Sequence, residues 1–136
     1  MKKITSKLVA VLMIVVMAFG ISGTATVKTE AKESKGYVIK VNLGTNCTTV
    51  YKNGKAIKAM ICSPSNETPT GTFYTPVKYR WHEMIGNCYA QYCTRITTGI
   101  LFHSVWYYKN GDKSTMSVKA YNVMGQKASH GCVRLL

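Results

Sequence analysis

The amino-acid sequence predicts a single, mainly β domain of the sandwich or barrel type. Short runs of β-branched and aromatic residues recur from Tyr37 onward. Turn signals separate these runs about every eight to twelve residues, and no amphipathic helical pattern of about ten residues or more is present. With 136 residues the chain has room for no more than one domain of ordinary size.

The first predicted strands surround a hairpin signal. The run YVIKVNL, which begins at Tyr37, is followed by CTTVY and AIKAMICS, and KNGK separates the last two. Asn53 and Gly54 form the centre of that turn. A two-residue hairpin turn needs positive φ at both central positions, which Asn and Gly adopt readily. The segment SPSNETPTGTF, with two prolines, then interrupts the strand pattern.

The second half of the chain predicts three more strands and one short helical turn. The runs TFYTPVKYRW, YCTRIT and ILFHSV are strand-like, and Thr98-Gly99 separates the last two. The segment STMSVKAYNVMG has room for a single helical turn between Ser117 and Val123. The chain is therefore expected to consist of short strands joined by turns.

The N-terminus predicts export. Three lysines precede an uncharged apolar run of fourteen residues, Leu8 to Ile21, and small residues follow up to Ala25. These are the three parts of a secretory signal peptide. An uncleaved anchor is the alternative, but a membrane-spanning helix needs about 20 apolar residues. We predict a signal peptide (1–25), a linker (26–36) and a domain (37–136), in an exported protein with no stable membrane span after cleavage.

The charge of the chain indicates an anionic partner. The sequence has 18 Lys and Arg against 5 Asp and Glu, a formal net charge of +13. Cleavage after Ala25 would remove three lysines and no acidic residue, which leaves +10. A basic exported protein is attracted to anionic cell-wall polymers. The lysines are scattered and no nucleic-acid-binding motif is present, so we expect no nucleic-acid partner.

The five cysteines leave their pairing open. An odd number in an exported chain leaves at least one thiol unpaired or intermolecular. Cys88 with Cys93 and Cys47 with Cys62 would be one set of disulfides, with Cys132 left over. Four free thiols in place of these pairs are equally allowed. The spacing of Cys and His does not match a structural zinc site, so no metal site is predicted.

The segment SHGCVRLL at the end of the sequence carries the strongest chemical signal. A thiol attacks a carbonyl as the thiolate, so Cys132 would need a base or a positive charge nearby. His130 and His103 are the candidate bases, whereas His82 is expected to be a surface or packing residue. A single Cys is more often an apolar packing residue than a nucleophile. The combination of His, Gly, Cys and Arg in one segment favours the nucleophile.

The segment SHGCVRL resembles the signature of the L,D-transpeptidase catalytic domain family (YkuD-like), with FHS and TPTGTF upstream as supporting motifs. The resemblance extends from about Tyr37 to Leu136. It implies a mainly β, sandwich-like or barrel-like catalytic domain with no metal or organic cofactor. Domains of this family continue past the Arg with a short helix and a closing strand. We therefore expect this domain to lack those two elements.

The resemblance also implies roles for the site residues. Cys132 would be the nucleophile and His103 the base that activates it. Ser104 would orient the imidazole of His103 through its backbone or its side chain. The implied enzyme is therefore a cysteine-dependent acyltransferase.

Supporting roles follow for four further residues of the same motif. Ser129, His130 and Gly131 would shape the site, and the amides of Gly131 and Cys132 would stabilise the oxyanion. Arg134 would either brace the loop or bind the substrate.

The implied reaction is acyl transfer on peptidoglycan stem peptides. The thiol would attack the carbonyl that joins the third residue, a diamino acid, to the terminal D-Ala. D-Ala would leave and a thioester would remain. An amine of a neighbouring stem would then complete a 3→3 cross-link, whereas water as the acceptor would make the enzyme an L,D-carboxypeptidase.

The 25 residues between His103 and Ser129 exceed the usual spacing of the family. The segment WYYKNGDKSTMSVKAYN looks like an inserted polar loop, which could act as a lid over the site or be neutral.

Two other function classes remain open. The first alternative is a catalytically inactive, basic cell-wall-binding module. The second is a cysteine peptidase, although such enzymes usually carry the nucleophile at a helix N-terminus and no helix is predicted after Cys132.

Overall fold

The structure, a computed structural model, describes residues 36–136. The predicted signal peptide (1–25) lies outside the described residues, and so does the predicted linker (26–36) apart from Gly36. Within the described residues, no helix is long and apolar enough to cross a bilayer.

The prediction of a mainly β fold is confirmed. Residues 36–136 form one seven-stranded sheet and two short helices. The strands are β1 (Tyr37–Asn42), β2 (Cys47–Lys52), β3 (Lys55–Ser63), β4 (Lys78–Met84), β5 (Cys88–Thr97), β6 (Ile100–Ser104) and β7 (Val133–Leu135). The helices are a 3-10 turn (Lys113–Thr115) and α1 (Val118–Asn122).

Strand β7 joins two antiparallel groups of strands into one sheet. The order across the sheet is β1-β2-β3-β7-β6-β5-β4. β7 is antiparallel to β3 and parallel to β6. The pairs are Cys62↔Leu135 and Ser63↔Arg134 with β3, and Phe102↔Val133, His103↔Arg134 and Ser104↔Leu135 with β6.

The predicted turns form where the sequence signals lie. Asn53 and Gly54 connect β2 to β3 with φ of 48° and 78°, as the hairpin signal predicts. Gly99 connects β5 to β6 with a φ of 74°. The helical turn expected after Ser117 is α1, and the Ser117 hydroxyl caps it by accepting from the Ala120 amide at 3.1 Å.

One predicted strand begins later than expected. In the run TFYTPVKYRW, strand pairing starts only at Lys78. The residues before it belong to the loop that leaves β3, and Pro76 cannot donate to a strand ladder. The whole of TPTGTF therefore lies in a loop.

Apolar side chains pack on both faces of the sheet. Leu101 and Phe102 are neighbours on β6, so their side chains point to opposite faces. Phe102 packs with Cys62 and Val133, which are 0% and 1% exposed. Leu101 packs in a second cluster that includes Cys93. The middle of the sheet is therefore buried on both sides where β6 and β7 meet.

All five cysteines are free thiols. Pairing of Cys88 with Cys93 is excluded because both lie on β5, five positions apart. Their Cα atoms are then about 17 Å apart in an extended strand, against about 4.4–6.8 Å in a disulfide. Cys47 and Cys62, on the neighbouring strands β2 and β3, are also unbonded. Of the two alternatives, the structure has the free thiols.

Phe102→Ala should lower the free energy of unfolding by about 3–5 kcal/mol, because it removes a buried ring from the junction of β6 and β7. Tyr74→Ala removes an aromatic ring that is 89% exposed, and it should change the stability by less than about 0.5 kcal/mol. Urea unfolding followed by circular dichroism measures both changes. Equal losses for the two variants would contradict the core position of Phe102.

Candidate active site

The parallel pairing of β6 with β7 brings Cys132 and His103 to one face of the sheet. His103 is paired with Arg134. Cys132 lies two residues before Arg134, so the two side chains share a face. Diagonal neighbours on one face have Cα atoms about 7–8 Å apart, which long or aromatic side chains can span. The two predicted reactive side chains are therefore on the same face and near each other.

The sulfur of Cys132 is partly buried and held by backbone groups of the β5–β6 turn. The amide of Leu101 donates to Sγ at 3.4 Å, and the thiol lies 3.8 Å from the carbonyl oxygen of Gly99. Burial raises the pKa of the Cys132 thiol, and the Leu101 amide and the Arg134 guanidinium offset part of that rise. The resting group at neutral pH is therefore the thiol rather than the thiolate.

His103 is held in one tautomer by the next residue. Its Nδ1 lies 2.6 Å from the carbonyl oxygen of Ser104. A carbonyl oxygen can only accept, so Nδ1 carries the proton and Nε2 keeps its lone pair. Of the two ways in which Ser104 could orient the imidazole, the structure has the backbone one. The Ser104 hydroxyl instead accepts from the Gln91 amide and donates to the Val105 carbonyl.

The environment of His103 keeps the imidazole neutral. The side chain is 5% exposed. Burial lowers the pKa of His103 to about 4, the charge of Arg134 adds to the decrease, and the hydrogen bond to Ser104 opposes it. Among residues 36–136, the hydrogen bonds of Cys132 and of His103 do not join the two side chains. Both side chains are therefore neutral at neutral pH. A thiol and a neutral imidazole on one face of a sheet can act as a nucleophile and its base.

Ser129 and Gly131 shape the turn in front of Cys132. The Ser129 hydroxyl accepts from the Gly131 amide at 3.3 Å and donates to the Cys132 carbonyl at 2.6 Å. Gly131 has a φ of +110°, and an added Cβ would lie 2.6 Å from the Ile100 side chain. This position therefore requires glycine. Because the Gly131 amide is engaged by Ser129, the Cys132 amide is the better oxyanion donor of the two.

Arg134 is a buried cation bound to backbone carbonyls. It is 7% exposed, and its two terminal nitrogens donate to the carbonyl of Ala128 at 3.0 Å and of Ala120 at 3.5 Å. Burial lowers the pKa of Arg134 from its usual value. These contacts tie β7 to the segment that precedes it. Of the two roles predicted for Arg134, the geometry supports bracing.

The other histidines make different contacts. His130 is exposed, and no hydrogen bond of its side chain is formed within residues 36–136. His82 lies on β4 and stacks on the ring of Tyr79, with centroids 4.5 Å apart. In the part of the chain that the structure describes, no group of three His, Cys, Asp or Glu side chains could hold a metal ion.

The comparisons with known proteins agree with this geometry. The family model for the L,D-transpeptidase catalytic domain, YkuD, matches residues 36–136. The chain belongs to this family. No protein with curated annotation matches the sequence.

Several solved structures share this fold. An L,D-transpeptidase from Mycobacterium smegmatis is 21% identical, with a TM-score of 0.58 over 73% of this chain and 48% of its own. Mycobacterium tuberculosis L,D-transpeptidase 1 is 24% identical, with a TM-score of 0.52 over 75% of this chain and 52% of its own. An L,D-transpeptidase in complex with imipenem is 22% identical, with a TM-score of 0.59 over 75% of this chain and 50% of its own. The chain spans about half the length of these structures.

The segment between His103 and Ser129 is docked on the sheet of this L,D-transpeptidase domain. Tyr107 forms bridges to Tyr89 and to Met116. Further along, the Ser63 hydroxyl lies 3.2 Å from the Val123 carbonyl and accepts from the Gly125 amide at 3.1 Å. The predicted polar loop is therefore attached to the sheet near its start, and the residues directly after it are attached to β3.

Two residues of the site were missed by sequence reasoning. Leu101 bonds to the sulfur through its backbone amide, and a side-chain type does not signal such a contact. Thr68 is 7% exposed, and its hydroxyl donates to the Gly131 carbonyl at 2.9 Å. Its signal was the motif TPTGTF, which supported the family resemblance without a role for any of its residues.

The buried neutral His103 should make the domain less stable at acidic pH. In the unfolded chain the histidine pKa is 6.5, whereas in the fold it is about 4. Between these values the unfolded state binds more protons, so stability is full above about pH 6.5 and decreases as the pH falls toward about 4. The loss amounts to roughly 3 kcal/mol. His103→Gln should remove this part of the pH dependence.

Urea unfolding at a series of pH values between about 4 and 7 measures the effect. The slope of stability against pH is compared among the wild type, His103→Gln and His82→Gln, which removes a histidine away from the site. The slopes are compared rather than the free energies of unfolding themselves, because a change in stability that is the same at every pH does not affect the slope. A slope in His103→Gln equal to that of the wild type would show that His103 is not the buried neutral group.

Proposed function

We propose that this domain is an exported peptidoglycan L,D-transpeptidase that works through a thioester on Cys132. The observation that carries the proposal is the hydrogen bond of His103 Nδ1 to the Ser104 carbonyl, 2.6 Å long. It leaves Nε2 unprotonated on the face of the sheet that also carries Cys132. A neutral imidazole beside a thiol, in a domain of this family, supports general-base activation of the sulfur.

The first half of the reaction forms the acyl-enzyme. As Sγ of Cys132 bonds to the carbonyl carbon of the third stem residue, the thiol proton moves to Nε2 of His103. The Cys132 amide stabilises the negative oxygen of the tetrahedral intermediate. The intermediate then breaks its C–N bond, and the departing nitrogen of D-Ala takes the proton from the imidazolium. The low pKa of His103 makes that imidazolium a strong acid, which favours the transfer.

The second half of the reaction releases the sulfur. An amine of a neighbouring stem attacks the thioester carbonyl, and His103 takes a proton from the amine. The C–S bond then breaks, and the sulfur takes that proton back as the thiol. The product is a 3→3 cross-link. Water in place of the amine gives the L,D-carboxypeptidase reaction by the same steps.

Location and partners follow from the sequence. Cleavage of residues 1–25 would release the domain outside the membrane, where peptidoglycan stems are present. Residues 36–136 carry twelve Lys and Arg against three Asp and Glu. This excess supports attraction to anionic wall polymers.

The cysteine peptidase alternative has less support. Cys132 is followed directly by β7 (Val133–Leu135), a strand rather than a helix. The inactive wall-binding module would not need a histidine fixed as a base. The acylation experiment below distinguishes this module from an enzyme.

Incubation of the purified protein with a carbapenem should give one covalent adduct, seen by intact-protein mass spectrometry. A solved L,D-transpeptidase in complex with imipenem makes this class of compound the appropriate probe. The β-lactam carbonyl is attacked in the same way as the stem amide. Cys132→Ala should give no adduct. Cys47→Ser, which removes a partly buried thiol from β2, should keep the adduct and is the matched control.

Two results would contradict the proposal. A folded wild type that forms no adduct would favour the inactive wall-binding module. An adduct that persists in Cys132→Ala would place the nucleophile elsewhere. For a protein that does acylate, incubation with a stem tetrapeptide then tests D-Ala release, and the appearance of a dimer or of a tripeptide separates amine from water as the acceptor.

A further inference from the structure

Thr68 connects the TPTGTF loop to the nucleophile segment through a buried hydroxyl. Its Oγ1 accepts from the Ser65 amide at 2.9 Å and lies 2.9 Å from the carbonyl oxygen of Gly131. Because that carbonyl can only accept, the hydroxyl proton of Thr68 points at Gly131. The Thr68 hydroxyl therefore accepts one hydrogen bond, from Ser65, and donates one, to Gly131.

This bond orients the peptide group between Gly131 and Cys132. In a planar trans peptide, the C=O of one residue and the N–H of the next point in opposite directions. When Thr68 holds the Gly131 carbonyl toward the loop, the Cys132 N–H is turned away from the loop. Within residues 36–136, no carbonyl of a loop or turn accepts from that N–H. The Thr68 bond therefore sets the direction of the Cys132 N–H, and no loop or turn carbonyl competes for it.

Gly131 cannot hold this orientation by itself. Its φ of +110° lies in a region that glycine reaches because it has no Cβ, and the same freedom lets its peptide rotate. Its own amide is held by Ser129 at 3.3 Å, a long hydrogen bond. That bond acts on the peptide between His130 and Gly131. The Thr68 bond, at 2.9 Å, acts directly on the peptide between Gly131 and Cys132.

The loop is also attached to the segment before Gly131 by two other contacts. The Ala128 amide donates to the Pro64 carbonyl at 3.0 Å, and the Lys127 ammonium donates to the Asn66 side chain at 2.7 Å. These contacts keep the two segments together without touching the peptide that carries the nucleophile. Loss of the Thr68 hydroxyl should therefore loosen the orientation of that peptide while the loop stays in place.

We propose that Thr68 is a positioning residue that aims the Cys132 amide at the oxyanion formed during acyl transfer. It acts through the Gly131 carbonyl and does not touch the substrate. The inference rests on the proposed function, since only an acyl-transfer step forms an oxyanion at this place. It gives the TPTGTF motif a chemical role.

Two reactions of the same thiol test the proposal. Acylation by a carbapenem forms an oxyanion, whereas alkylation by iodoacetamide displaces iodide from a saturated carbon and forms none. Thr68→Val keeps the shape of the side chain and removes the hydroxyl. It should slow acylation of Cys132 at least about tenfold, part of the 10²–10³-fold effect of losing an oxyanion donor. Alkylation of Cys132, followed by peptide mass spectrometry, should change less than about twofold. Thr68→Ser keeps the hydroxyl and should restore most of the acylation rate.

Two results for Thr68→Val would overturn the positioning role. Equal slowing of acylation and alkylation would show that Thr68 only supports the thiol or the fold. An unchanged rate of acylation would show that the Thr68 hydroxyl does not affect the oxyanion. A wild type that is alkylated at Cys132 but not acylated would overturn the proposed function and this inference with it. If Thr68→Val does not fold, Thr68→Ala, which has no γ-methyl group to place against the Gly131 carbonyl, replaces it in the same comparison.

Discussion

The parallel pairing of β7 with β6 is the constraint on which the site depends. Three residues, Val133 to Leu135, form the strand that joins the two antiparallel halves of the sheet. Side chains alternate along a strand, so a shift of one residue would move Cys132 to the opposite face from His103. The buried Val133 and the braced Arg134 fix this register from both faces. The geometry of the candidate nucleophile and base is thus a consequence of packing at the centre of the sheet.

The electrostatics of the site follow from the same burial. His103 and Cys132 are both kept neutral because burial disfavours their charged forms. The positive charge of Arg134, bound only to carbonyls, favours a thiolate and disfavours an imidazolium. The ion pair of thiolate and imidazolium is therefore not the resting state. In the acyl transfer that we propose, the negative charge would develop on the substrate oxygen, and an amide that binds this oxygen would stabilise it.

Local features were predictable from the sequence and non-local ones were not. The Asn53-Gly54 hairpin and the Ser117-capped turn could be predicted because the few residues that signal each turn are the same residues that form it. The central place of β7 could not be predicted, since three residues carry no strand pattern and their partners lie far away in sequence. The Arg134 contacts are made with backbone carbonyls, which residue types do not encode. The candidate nucleophile and base were found from the sequence because His103 and Cys132 stand in recognisable motifs.

The most direct test of the neutral pair is the protonation state of His103 itself. Long-range ¹H–¹⁵N NMR of the imidazole reports which nitrogen carries the proton and at what pH the ring becomes charged. We expect Nδ1 protonated and Nε2 unprotonated at neutral pH, with the ring charging only near the pKa of about 4. An imidazolium at neutral pH that becomes neutral in Cys132→Ala would instead show a resting ion pair, and it would contradict general-base activation by a neutral His103.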